Sequence, residues 1–457
     1  MHRQQAALPL PTLLFYALLA LPLATIGLPL TIYLAPFYAG EIGIPLAALG
    51  TAMLLARLVD VVVDPFIGTL SDRWRPRVGR RKVWLPIGGA MLIGGVFMLF
   101  RPSPDVGIGY FLFWTTIVYV GFTATKIPYE AWGAELSRDY AGRTRIASAR
   151  QLFTLIGLVV ATTVPALILA RGGSSAADVL SGMSWLMMGL LPLAVGLAFF
   201  AVPDHSPSQK KSSRGISRNM RLIARNGPFR RISIALFLGY IAETFRVTIT
   251  LFFARDVIGV PNIGSIYVYY FLMGLAAIPF WMWLGNRWGK HRALILAFCV
   301  VIGTNSAIFF LEPGQVTAFT LLFVAKGFCF GALELLPAAM IADTVDVDVA
   351  RTRQQRQGLF FALIGIVIKI GQAIGQGLSL NLLALVGYNA AGNNTPAAVD
   401  SLRLLYCFFP TVFLVVAIAI IARYPLTALR HARLRAGIER RDAALKHLSP
   451  AAAPVLP

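Results

Sequence analysis

From its N-terminus the chain alternates long apolar runs with short polar breaks. Twelve runs stand out, at about 11–38, 46–70, 83–100, 108–128, 149–170, 180–202, 231–254, 264–285, 293–311, 315–342, 358–388 and 402–422. A helix needs roughly 20 apolar residues to cross the ~30 Å hydrocarbon core of a bilayer, and each run meets or approaches that length. The pattern predicts an all-α membrane protein of twelve transmembrane helices. The first run is too long for a cleavable signal segment and has no small-residue cleavage site at its end, so helix 1 is expected to stay in the membrane.

Composition agrees with the pattern. Of 457 residues, 57% are hydrophobic and 13% charged, against ~25% charged in soluble domains, which excludes a soluble enzyme, a disordered chain and a disulfide scaffold. Cys299, Cys329 and Cys407 all fall in apolar runs and offer no disulfide framework. A net charge of +21 raises the question of nucleic acid, and the placement of the bases answers it. With both termini on one side, 32 of the 41 Lys and Arg lie in the loops and ends of that side, and the opposite loops hold only Arg101, Arg171, Arg255 and Arg403. By the positive-inside rule the basic side is cytoplasmic. The charge is a topology signal, no nucleic-acid partner is expected, and short loops and termini suit a monomer in a bacterial inner membrane.

The chain reads as two halves: 1–202, a basic linker at 203–230, 231–424, and a tail at 425–457. A repeat supports the division. The second run ends Pro65-Phe66-x-x-x-Leu70-x-x-Arg73-Trp74, followed by Gly79-Arg80-Arg81-Lys82. The eighth ends Pro279-Phe280-x-x-x-Leu284-x-x-Arg287-Trp288, followed by Gly289-Lys290-His291-Arg292. Two pseudo-symmetric six-helix bundles are expected. Gly68, Asp72, Arg73, Gly79, Arg80 and Arg81 resemble the signature loop of the major facilitator superfamily, and the second copy has Asn286 in place of the acid.

Further motifs narrow the resemblance. Ala56-Arg57-Leu58-Val59-Asp60-x-x-x-Asp64-Pro65, Ile127-Pro128-Tyr129-x-Ala131 with Glu135-Leu136 and Asp139-Tyr140, Arg143-Thr144 before Arg150, Ala342-Asp343-x-x-Asp346, Gly358-x-Phe360, Lys369 and Gly387-Tyr388 are similar to the glycoside-pentoside-hexuronide:cation symporters, the melibiose permease family. The resemblance runs from about Tyr38 to Tyr388. It implies a cation-coupled importer of sugars or sugar-like solutes, with Asp60 and Asp64 at the coupling-cation site, Lys369 beside it, and no cofactor beyond H⁺ or Na⁺. A related branch carries lysophospholipids.

The residues carry an argument of their own. An ionised side chain at mid-membrane costs about 2.5–3.5 kcal/mol on insertion scales, so each needs a partner or a task. Arg57, Asp60 and Asp64 at i, i+3, i+7 share one helical face, which must look into the protein. Two carboxylates one turn apart repel when both are ionised, and that repulsion favours uptake of a proton or Na⁺. The alternative is that both acids neutralise Arg57 and hold the helix in place. A lone Lys369 in an apolar helix requires an acidic partner, and Asp60 and Asp64 are the candidates.

Lys126 departs from the family, standing where the melibiose permeases have a sugar-binding acid, and Ala24 stands where they have another. Its ammonium has three readings: a substitute for bound Na⁺ that favours H⁺ coupling, an anchor for an anionic uronide or sulfonate, or a fixed pair with Asp64. Glu130, in place of a stacking aromatic, is a substrate contact or the i, i+4 partner of Lys126. Arg150 matches a family arginine at the pocket or its cytoplasmic gate, with surface snorkelling as the alternative. Tyr33 and Tyr129 are ring candidates for stacking on a sugar, and Trp132 and Trp288 read as interfacial belt. Glu243 and Arg246, at i, i+3, are a substrate contact or a structural pair.

Asp72, Arg73 and Arg80 in the first half, and Asp343 and Asp346 in the second, are expected to form ion-pair latches of a cytoplasmic gate. With Asp348, the last two resemble a hard-cation cluster, but the neighbouring Arg351, Arg353 and Arg356 favour ion pairs and no metal is expected. The tail from Ala428 is basic and weakly amphipathic, suited to the inner leaflet. His2, His205, His291, His431 and His447 all lie outside the apolar runs, and no catalytic triad or zinc spacing occurs, so no enzyme is expected. The expected function is symport of a sugar or sugar-like solute, an anionic uronide or sulfonate among the candidates, with H⁺ by alternating access. Na⁺ symport of a neutral glycoside and transport of a lysolipid or other amphiphile are the alternatives.

Overall fold

A computed structural model describes residues 8–74, 76–137, 140–173, 175–204, 223, 225–352 and 356–448. Among these, ten helices are long and apolar enough to span a bilayer: α1 (Leu10–Ile32), α2 (Leu46–Arg73), α4 (Ile108–Glu135), α5 (Ala141–Ala170), α6 (Ala176–Ala201), α7 (Gly227–Ile258), α9 (Lys290–Phe309), α10 (Val316–Thr352), α11 (Gln357–Leu385) and α12 (Pro396–Ala422). An eleventh, α8, is the pair Ile263–Ala276 and Ile278–Trp288, bent by 42°. Pro279 stands at the second position after that break, where its missing N–H and ring disfavour a straight continuation. The seventeen-residue α3 (Trp84–Phe100) completes the twelve runs read from the sequence; at 1.5 Å per residue it reaches about 26 Å. A tail helix α13 (Ala428–Leu448) follows. Most of the 203–230 linker lies outside the described residues.

The segment continuing α1 and the end of α7 each form a π-helical turn, at Phe37–Glu41 and Ala254–Ile258, so the internal repeat extends to the first helix of each half. Along α1 and the segment continuing it, Pro22, Pro29 and Pro36 recur every seven residues and break the helix into short pieces. Within the first half α3 packs on α4, and α2 on α4. In the second, α7 packs on α11 and α12, and α10 on α8 and α9.

Three pairings join the halves: α2 with α11, α5 with α8, and α1 with α7. Their closest points lie at the end of the molecule opposite the basic loops. A Cβ on Gly50 would sit 2.9 Å from Leu380 Cβ and 3.0 Å from the Gly377 carbonyl, so only a glycine lets α2 and α11 meet there. Asn262 at the start of α8 donates to the Ala166 carbonyl of α5 at 3.1 Å. One buried apolar cluster runs through both halves and includes Tyr38, Leu49, Phe245, Ile266 and Leu380. Toward the basic end the clusters separate, one around Trp281, Leu336 and Phe360 and a smaller one around Ile67 and Trp84. The halves are sealed at one end and parted at the basic end.

Candidate functional site

Asp60 and Asp64 come to one place because α2 carries them one turn apart on the face that meets α4 and α11. Lys369, on α11, puts Nζ 2.9 Å from Asp60 Oδ2 and 2.7 Å from Asp64 Oδ1. From α4, Thr123 Oγ1 lies 2.8 Å from Asp60 Oδ1 and 2.9 Å from Asp64 Oδ1. Arg57 Nη1 is 3.6 Å from Asp60 Oδ2, and its guanidinium lies over the Tyr119 ring at 4.3 Å from the centroid. Two acids and two bases therefore balance in a centre where Asp60 is only 2% exposed. The Thr123 hydroxyl has one hydrogen to donate. With both acids ionised it satisfies one of them, and protonation of the other turns its contact into a donated hydrogen bond.

Beside this centre lies a cavity of about 320 Å³ between the halves. Its lining includes Thr31 of α1, Arg57 of α2, Glu243 of α7, Glu334 of α10, and Gln372 and Gln376 of α11. That size holds a small polar solute. Arg57 Nε and Gln376 Nε2 are buried donors without partners among the described residues. Glu243 holds Arg246 by two hydrogen bonds, of 2.5 and 3.3 Å. Arg246 is 1% exposed and Glu243 33%, so the carboxylate faces the cavity while the guanidinium is sealed behind it.

Other residues singled out in the sequence fall elsewhere. Lys126 is exposed, 5.4 Å from the Phe122 ring centroid, and forms no ion pair within 4.0 Å among the described residues. The fixed Lys126–Asp64 pair is not formed, because the Lys369 ammonium occupies that carboxylate. Lys126 lies within electrostatic range of Glu334 of the other half. Glu130 pairs with Arg150 at 3.8 Å instead of with Lys126. Tyr129 is 2% exposed and donates to the Tyr16 carbonyl at 3.0 Å while Tyr16 donates to the Tyr129 carbonyl at 3.1 Å, so Tyr129 locks α4 to α1 and presents no face to a substrate. Tyr33, 3% exposed, is likewise packed away from the cavity.

The expected latch residues that form ion pairs do so within their own half or with the tail helix. Asp72 meets Arg81 at 2.7 Å, Arg80 meets Glu135 at 2.6 Å, and Arg73 stands exposed at the end of α2. Asp343 meets Lys290 at 2.7 Å, Asp346 meets His431 of α13 at 2.8 Å, and Asp348 meets Arg356 at 3.1 Å. They brace each bundle at its basic end, and none of these pairs spans the halves. The tail helix is thereby docked on the end of α10. Thr123 and Gln376 were not picked out in the sequence. Thr123 precedes Lys126 by three residues, on the same face of α4, and that spacing was the available signal.

Twelve helices in two bundles, with a balanced ionic centre at the edge of a cavity between them, define a transporter of the major facilitator type. A family model described as MFS/sugar transport protein matches residues 15–428, and the chain belongs to that family. It is 28% identical over 433 residues to the uncharacterized symporter YnaJ of Bacillus subtilis (strain 168), covering 90% of each chain. It is 23% identical to the isoprimeverose transporter of Lactiplantibacillus pentosus, covering 83% of this chain and 81% of that one. Among solved structures, the nucleoside transporter NupG superposes with a TM-score of 0.67 over 91% of this chain and 100% of that one, at 14% identity, a likeness of fold.

Proposed function

We propose that the chain imports a sugar-like solute bearing an acidic group together with H⁺, by rocking its two halves about the central cavity. The observation that carries the coupling ion is Lys369, whose ammonium lies within 2.9 Å of both Asp60 and Asp64 and occupies the place where Na⁺ would have to neutralise them. A proton entering this centre goes to Asp60 or Asp64, is held through the Thr123 hydroxyl, and loosens the grip of Lys369 on α2. That contact joins the two halves, so its strength is linked to their relative position.

Lys126 supports the acidic group on the solute, being an unpaired ammonium at a family position where sugar carriers have an acid. The distribution of bases supports cytoplasmic termini and a cytoplasmic basic end, which makes the present conformation open to the inside. Short loops fit a monomer in a bacterial inner membrane.

Thermal stability of the purified chain with neutral glycosides, uronates, sulfonated sugars and lysolipids, at pH 5.5 and 7.5 with and without Na⁺, tests the reading. Stabilisation by an acidic sugar that varies with pH and ignores Na⁺ is expected. Stabilisation by a neutral glycoside only in Na⁺, or by lysolipid alone, would overturn it.

A further inference from the structure

The two copies of the basic loop are finished differently. In the first half, the Arg81 amide donates to Asp204 Oδ2 at 3.1 Å. Gly79, at φ +121°, has no Cβ because one would collide with that carboxylate. Asp204 follows Pro203 just after α6, so the chain supplies its own anion to the loop that leads into α3.

In the second half Gly289 repeats Gly79 and has φ +95°. His291 repeats Arg81, and after α12 the matching Val202-Pro203-Asp204 reads Tyr424-Pro425-Leu426. The carboxylate is replaced by leucine. No side chain caps α9, and the Lys290 and His291 amides have no acceptor among the described residues. A cavity of about 280 Å³ opens there, with Lys290, His291, Tyr424, Leu426, His431 and Arg435 in its wall. Tyr424 is 6% exposed, and its hydroxyl is buried without a partner. Asp343 also lines the cavity and is taken by Lys290, while Asp346 is taken by His431.

We propose that this cavity is a phosphate site, in which an external oxyanion does for the second half what Asp204 does for the first. The N-terminus of the twenty-residue α9 presents amides and the positive end of its dipole. The Tyr424 hydroxyl donates to one oxygen, and Arg435, 65% exposed at the rim and only loosely paired with Asp346 at 3.8 Å, adds charge from the tail helix. Because α13 forms one wall, occupancy fastens the tail to the second bundle. A free phosphate compound and a phospholipid headgroup both carry this chemistry.

The test compares the Tm of the full-length protein, purified in lipid-free detergent, in sodium phosphate and in sodium chloride of equal ionic strength. Phosphate is expected to raise Tm by about 2 °C or more, and Tyr424→Phe and Arg435→Gln each to remove at least half of that rise. Leu426→Asp restores the chain's own carboxylate, so it is expected to raise Tm in chloride and to abolish the phosphate response. In nanodiscs of phosphatidylglycerol, loss of both the phosphate response and the Leu426→Asp gain would identify a lipid headgroup as the occupant, and a persisting response a free phosphate. An equal response in wild type and Leu426→Asp, or none in detergent-purified wild type, would overturn the proposal.

Discussion

Lys369 and Asp64 lie 305 residues apart in the chain and 2.7 Å apart in space, and their contact joins the second bundle to the first. An ammonium bound to two carboxylates from the other half is held firmly only while both are ionised. Adding a proton to either acid weakens that hold by a large share of its Coulomb energy, which in a low-dielectric setting far exceeds its value in water. A proton arriving at this centre would thus weaken a contact that joins the bundles.

Asp64→Asn imitates permanent protonation. It is expected to cut gradient-driven uptake by about tenfold or more, the equivalent of some 1.4 kcal/mol of lost coupling, while exchange of labelled for unlabelled solute continues. Parallel assays in proteoliposomes, with and without an imposed pH gradient, measure both. Equal loss of exchange and uptake would assign Asp64 a purely structural part.

Removing the ammonium gives a second test. Lys369→Gln leaves Asp60 and Asp64 facing each other with Arg57 at 3.6 Å as the remaining base. Two adjacent carboxylates then need a cation. The Tm of this variant is expected to rise with added Na⁺ by a few degrees, whereas that of the wild type stays flat. A flat Na⁺ response in both would show that Lys369 does not occupy a cation position.

The fold was legible because a bilayer imposes a single rule on every span, apolar length, and because the two basic loops mark equal places in two halves. The i, i+3, i+7 spacing on α2 identified one face of the ionic centre, and the need of a lone intramembrane lysine for an acid pointed to Lys369. Partners across helices were less accessible. Nothing local tells that Glu130 turns to Arg150, that Tyr129 is engaged by Tyr16, or that Asp343 and Asp72 brace their own bundles, since each depends on how helices rotate about their axes. Thr123 escaped notice because a threonine in an apolar helix ordinarily bonds back to its own backbone, as Thr125 does to Gly121.

Glu243 and Arg246 offer a stability test distinct from transport. Arg246 is 1% exposed and reaches Tyr406 Oη at 3.3 Å besides Glu243. Glu243→Leu would leave a buried guanidinium without its counter-charge, a defect that costs about 3–5 kcal/mol. The variant is expected to be purified in low yield with a Tm several degrees below wild type, and Glu243→Leu with Arg246→Leu to recover much of the loss. A single variant as stable as wild type would mean that solvent in the cavity screens Arg246.

Gly50 tests the seal at the end away from the basic loops. A Cβ there meets Leu380 Cβ and Asn381 Nδ2 at 2.9 Å each, so a leucine cannot be accommodated without parting α2 from α11. The parted state is the opposite one of an alternating-access cycle, open at the sealed end and closed at the basic end. Gly50→Leu is therefore expected to stop transport while leaving the bundles folded, and to shift the population toward that state. A cysteine placed at Thr244, which lines the cavity, reports the shift. In right-side-out vesicles an impermeant maleimide should label Thr244→Cys several-fold faster when Gly50→Leu is also present. Labelling at the wild-type rate, with transport intact, would show that α2 and α11 separate elsewhere.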